Sequence, residues 1–318
     1  MRIYLLLILG LILASCNNDS KLESEIAKID VDLTLERFDQ AEFKAAPNEL
    51  KTLKRGYPFL FSGQTPDSVW VNRLSDTLQN EILNEVQTVL PDLKTVKLEL
   101  ENMFQHIKYY DKTFSIPKVV TLTNFVDYRN SVIVNDTLVL IALDNYLGED
   151  HKFYQNIPKY LASNLNKDQI VPDVAENFAE QYVFQTQRKT FLDEMIYFGK
   201  LLYFKDLMIP FKSDANKIGY TNEEIKWAEA NETPIWSYFV EKELLYSTDP
   251  KLPNRFIADA PFSKFYLELD NQSPGRLGQY IGWQIVKAYA DNTDVKPIDV
   301  LQKTPEEIFR KSKFKPKK

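Results

Sequence analysis

Two histidines and one cysteine in 318 residues leave little for metal or nucleophile chemistry. Catalytic zinc sites are built mainly from neutral imidazoles and thiolates. His106 falls in a helical pattern and His151 just after a run of strands, and each alone reads as an ordinary satisfied histidine. A lone cysteine excludes an internal disulfide. Glycine is scarce, at nine residues, and neither G-x-x-x-x-G-K-[ST] nor G-x-G-x-x-G occurs, so no phosphate-cradling loop is present. The net charge is −6, with basic residues crowded only at the C-terminus, which argues against nucleic acid as a partner. No motif indicates a cofactor.

The first residues form a targeting segment. Arg2 supplies a positive charge, and Ile3 to Leu13 is an apolar run too short to span a bilayer but right for a signal core. The run ends Leu13-Ala14-Ser15-Cys16, which resembles a bacterial lipobox. Residues 1–15 therefore read as a lipoprotein signal peptide, with Cys16 lipidated as the new N-terminus. Membrane lipid is then a partner, since each buried acyl CH₂ contributes about 0.8 kcal/mol. The protein is expected in the cell envelope, its folded part outside the cytoplasm. Residues 16–27 are polar and read as a tether. Residues 310–318 hold six basic side chains and no acid; they read as a solvated tail, or as a patch for anionic headgroups or an acidic partner.

Between these ends, residues 28–309 read as one domain. Val31 to Arg37 alternates as a half-buried strand does. Helical patterns cover Pro66 to Leu90 and Pro91 to Tyr110. Lys118 to Phe125, Ser131 to Asn135 and Thr137 to Leu143 are β-branched runs, with a tight turn at Asn135-Asp136. From Lys152 the pattern is again helical, and Thr221 and Thr304 each begin a capping box. The fold class is α+β, mostly helical, with a small sheet between helices.

The stretch FLDEMIYF, Phe191 to Phe198, lies in a helix expected to stop before Pro210. Asp193, Tyr197 and Lys200 recur at i, i+4 and i+7 as a polar stripe. A zinc helix reads H-E-x-x-H in that register, because residues at i and i+4 project to one metal. Glu194 occupies the place of the base, while Asp193 and Tyr197 stand where the histidines would be. With Glu241 or Glu243, Asp193 and Tyr197 could form an oxygen site for a hard cation. The plainer reading is a structural helix with one polar stripe, and no metal is expected. Gly278 and Gly282, four apart, open one helix face for close packing, or floor a groove for a peptide.

Together, TFLDEMIYFGKLLYFKDLMIP (Thr190 to Pro210), WSYFVEKELLYST (Trp236 to Thr248) and SPGRLGQYIGWQIVKAY (Ser273 to Tyr289) resemble the GldB family of gliding-motility lipoproteins. The resemblance extends to the lipobox and the early VDLTLERFD. It implies an envelope lipoprotein required for gliding, a structural or assembly component tied to protein partners of the gliding and type IX secretion machinery. More distantly, the chain resembles exported zincin-like peptidases, which implies a zincin-like domain whose small mixed sheet precedes the motif helix. Loss of both histidines implies a non-catalytic protein, with Asp193, Glu194 and Tyr197 as vestigial motif positions. The alternative is an exported metal-dependent hydrolase with substituted ligands. If the groove persists, Thr137 to Leu143 would be the edge strand along which a polypeptide partner docks.

Overall fold

The computed structural model describes residues 21–185, 188–267 and 270–317. Residues 1–15 and Cys16, expected to carry the signal and the anchor, lie outside them.

Four short strands form a mixed sheet in the order β1-β2-β4-β3: β1 (Leu35–Arg37), β2 (Lys118–Leu122), β3 (Val132–Val134) and β4 (Leu138–Ala142). β1 and β4 both run parallel to β2, with Leu35 opposite Val119 and Val120 opposite Leu140, while β3 returns antiparallel to β4. The β-branched runs alternate as strands must. Val119, Val139 and Ile141 face the main core, whereas Val120 joins Phe38 and Leu53 in a second cluster on the other face. β4 is therefore central, and the expectation that Thr137 to Leu143 forms an edge is corrected. β2 pairs with one side of it and β3 with the other, so the edges are β1 and β3.

Residues 21–26 form a helix, α1. Between β1 and β2 lie α2 (Phe38–Lys44), α3 (Leu50–Gly56), α4 (Asp67–Ser75), α5 (Thr77–Val89) and α6 (Lys94–Tyr110). The pattern read as one helix from Pro66 to Leu90 divides at Asp76, whose carboxylate accepts the Gln79 N–H at 2.7 Å and so caps α5. After the sheet come α7 (Lys159–Ala162), α8 (Ile170–Tyr182) and α9 (Phe191–Met208). They are followed by α10 (Asp214–Ile218), α11 (Asn222–Ala230), α12 (Glu232–Glu241), α13 (Lys251–Phe256), α14 (Leu277–Asp291) and α15 (Pro305–Ser312). Thr221 makes the reciprocal capping box on α11. Thr304 makes only its own half on α15, because Glu307 turns to Tyr289 and Lys311 instead.

α9 is the central helix and is buried on nearly every side. Its main neighbour is α14, and glycines on both helices make the approach possible. A Cβ on Gly282 would overlap the Met195 carbonyl, and one on Gly199 would overlap the backbone of Gly282. The face opened by Gly278 and Gly282 is thus a packing face. Gly199 is the matching half on α9. Lys200, expected on a polar stripe, is fully buried; desolvation lowers its pKa to about 8, and its ammonium reaches the Phe184 carbonyl at 3.4 Å.

Both expected tails are tied to the domain where they are described. In the tether, Ile26 is buried and Glu23 meets His106 of α6 at 3.3 Å; just beyond it, the Ile29 carbonyl accepts from Gln105 at 2.9 Å. At the other end, Ser312 is buried, Phe314 packs edge-on against Trp236, and Lys317 N–H donates to Glu232 at 2.9 Å. The basic segment is therefore fastened along α12. Local charge suggested a solvated tail, but Phe314 and backbone hydrogen bonding hold it.

Candidate functional site

The motif positions on α9 serve the helix itself. Thr190 is the N-cap; its hydroxyl accepts the Asp193 N–H at 3.1 Å, and the Asp193 carboxylate accepts the N–H groups of Thr190 and Lys189 at 2.9 and 3.0 Å. Asp193 is thus the return half of a capping box. Glu194 receives Arg188 at 2.7–3.1 Å, and the Arg188 guanidinium lies over the Tyr197 ring, 4.0 Å from its centroid. Glu241 and Glu243 are exposed at the end of α12. Among the described residues, no three His, Cys, Asp or Glu side chains converge as a metal site requires. The histidines are apart from α9's first turn: His106 bonds the Asn102 carbonyl and Glu23, and His151 faces Glu85 at 3.4 Å.

A different helix carries the polar groups that meet a cavity. On α8, Asp173, Glu176, Asn177 and Glu180 recur at three- and four-residue spacing, so they share one face. Val171, Val174, Ala175, Phe178 and Ala179 make the opposite face and are buried. The polar face lines a cavity of about 800 Å³, closed on other sides by Ser131 and Val132 of the β3 segment, Lys205 of α9, and Arg276 before α14. This stripe was legible as D-x-x-E-N-x-x-E against an apolar face. The resemblance to H-E-x-x-H drew the reading to α9 instead.

The electrostatics of the cavity are uneven. Burial pushes the Asp173 carboxyl up to about 7, against the hydrogen bond it accepts from the Tyr146 hydroxyl at 2.7 Å. Glu176 is held below its usual range chiefly by Lys205, whose ammonium lies 2.6 Å away, and also by Arg276. Although protein surrounds Glu176, 47% of its side chain remains accessible, which means it looks into the cavity. Burial and neighbouring Glu176 raise Glu180.

Of the three cations among the described residues lining the cavity, Arg129 is exposed over the Tyr128 ring, while Lys205 and Arg276 are engaged. Lys205 also donates to the Lys217 carbonyl at 2.9 Å. Arg276 donates to the Gly219 carbonyl at 2.6 Å, sits 3.4 Å from Asp259 and lies over the Tyr220 ring. Asn164 shares the Gly219 carbonyl at 3.0 Å. Arg276 takes a left-handed backbone, φ 57°, which costs about 1–2 kcal/mol in a non-glycine residue. Unusual backbone of this kind gathers at functional sites.

The β3 edge borders the same space. Asn135 N–H bonds the Leu138 carbonyl and Ala142 N–H bonds the Ser131 carbonyl, so in this antiparallel ladder Ser131, Ile133 and Asn135 face β4. Val132 and Val134 therefore turn their N–H and C=O groups outward. α8 packs along β3. Chemically, the site offers carboxyl groups in two protonation regimes and strand backbone that is unpaired among the described residues. Its described lining contains neither histidine nor cysteine.

The family model for gliding motility protein GldB matches residues 19–316, nearly the whole chain. The chain belongs to the GldB family. Membership gives it a part in gliding motility and the character of a lipoprotein, which places it in the cell envelope. Searches among curated proteins and solved structures return no match, and the resemblance to zincin-like peptidases finds no counterpart in them. No described helix is long and apolar enough to cross a membrane.

Proposed function

We propose that this GldB-family chain is a non-catalytic envelope lipoprotein, anchored through acylated Cys16. It acts as a structural or assembly component of the gliding and type IX secretion machinery by holding an extended polypeptide segment of a partner. The observation that carries the reading is the free edge of β3 beside the polar face of α8. A strand added to β3 would satisfy the outward groups of Val132 and Val134. Charge complementarity selects a segment with a basic side chain. Lys205 and Arg276 are already engaged, whereas Glu180 accepts no hydrogen bond from the described residues and Glu176 keeps an accessible face.

Val134→Pro tests this directly. Proline removes the outward N–H of an edge residue without touching the β4 ladder, so the fold should tolerate it. The expected result is loss of gliding, and loss of the adduct formed by a photo-crosslinking residue at Glu180, at unchanged thermal stability. Normal gliding with an intact adduct would overturn the docking reading.

One observation keeps a second reading in view. Asp173, Glu176 and Glu180 share one face of α8 along the cavity; they do not converge as three ligands of one ion, but one or two carboxylates there, with solvent and substrate oxygens, could hold the hard cation of a metal-dependent hydrolase. Its support lies on α8, since Asp193, Glu194 and Tyr197 are committed to capping and to Arg188. Metal content and peptidase assays of wild type and Glu176→Gln separate the two readings. A bound divalent ion, with hydrolysis lost in the variant, would establish the enzyme.

A further inference from the structure

The placement of α1 has a mechanical consequence, which rests on the reading that Cys16 carries the lipid. Of the expected tether, only residues 17–20 separate the anchor from α1. From Cys16 to Lys21 the chain reaches at most about 18 Å even when fully extended. A domain of this length is about 50 Å across. A leash so short cannot let the domain turn its far side to the membrane. The surface around α1 must stay near the headgroups.

That surface has the composition of a membrane contact. α1 lies against α6, and Leu22, Asn102, His106, Leu207, Pro210 and Phe211 border one mainly apolar cleft of about 510 Å³. Leu98 stands one turn before Asn102 on the same side of α6 and is 66% exposed; Phe211, in the turn after α9, is 42% exposed. Lys212 and Glu99, each next to one of these residues, pair at 2.8 Å and bring that turn beside the start of α6. Glu99 pairs with Lys212 and Asp206 with Lys217, each at 2.8 Å, Glu23 lies 3.3 Å from His106, and Glu25 is exposed on α1. Lys21 and Lys28 are exposed beside them. Exposed apolar side chains with mostly paired acids and flanking lysines suit an interface that enters a bilayer surface.

We infer that the face formed by α1, the first turns of α6 and the Pro210-Phe211 turn lies against the bilayer, with Leu98 and Phe211 entering its surface. α9 then carries the opposite pole away from the membrane. Its 18 residues span about 27 Å, and Leu245 is hydrogen-bonded to Leu192 at its far end, beside exposed Tyr246.

The test uses the full acylated protein, in which Cys16 is consumed by lipid and a single introduced thiol can be labelled. Leu98→Cys, Phe211→Cys and Tyr246→Cys variants carry an environment-sensitive dye in phosphatidylethanolamine–phosphatidylglycerol vesicles containing doxyl-lipid quencher. All three sites are exposed, so unchanged circular dichroism is expected. Quenching at Leu98 and Phe211 should exceed that at Tyr246 at least threefold. If the protein floats with the vesicles but the three labels are quenched alike, the orientation is wrong and the anchor stands. If Cys16 carries no acyl chain, or the protein floats equally well without one, the anchor reading falls and the orientation with it.

Discussion

Tyr146 donates a hydrogen bond of 2.7 Å to Asp173, joining the segment after β4 to the helix α8 whose polar face lines the cavity. Burial nonetheless holds the Asp173 carboxyl up at about 7. An acid whose folded pKa lies above its unfolded value binds more protons when folded. Its contribution therefore falls as pH rises from about 4 to about 7 and is level beyond. Asp173→Asn keeps an acceptor for Tyr146 and removes the charge. The variant should match wild type near pH 4 and exceed it near pH 8, on the order of 1–2 kcal/mol after allowing for cavity solvent. Thermal melts across pH 4–8 check this; a constant difference between the two proteins would contradict the assigned burial.

The contact between α9 and α14 depends on the absence of side chains. Gly282→Ala places a methyl group on the Met195 carbonyl and Gly199→Ala places one on Gly282, so each should destabilise by about 1–3 kcal/mol or more. Gly56→Ala is the control, because a Cβ there has nothing within 4 Å. Denaturant midpoints that failed to separate the first two variants from the third would mean that the helices can move apart cheaply.

Asp193 and Glu194 are expected to matter for stability and not for chemistry. Asp193→Ala removes half of the capping box and should cost about 1 kcal/mol. Glu194→Gln weakens a partly exposed pair with Arg188 and should cost under about 1 kcal/mol. Both variants should glide normally wherever they are folded. A stable Glu194→Gln protein that abolished gliding would restore the α9 motif as a site.

Cys16→Ala should leave the folded domain unchanged, because the core that holds the described residues together is built from their own side chains. The protein should lose its acyl label and leave the membrane fraction, and gliding should fail. Membrane recovery of the unlabelled variant would show that another element holds it there.

What could be read from the chain alone was local. The β-branched runs 118–125, 131–135 and 137–143 announced β2, β3 and β4, because alternation reports a strand wherever it ends up. Thr221 and the stop before Pro210 set helix limits through hydrogen bonds within four residues. The lipobox-like LASC and the segments around α9, α12 and α14 pointed to the family. Other features depended on residues far apart in sequence. β4 became central because β2 and β3, on either side of it in space, both pair with it, which no pattern within β4 can encode. Helical spacing carries polar stripes on both α8 and α9, although only the one on α9 was read. It could not show that the α8 stripe meets a cavity while Asp193 bends back to cap its own helix. That division follows from tertiary packing, which sets α9 against α14 through Gly199 and Gly282 and leaves the polar face of α8 toward the cavity. Periodicity states which side of an element is polar; only the tertiary structure decides what that side faces.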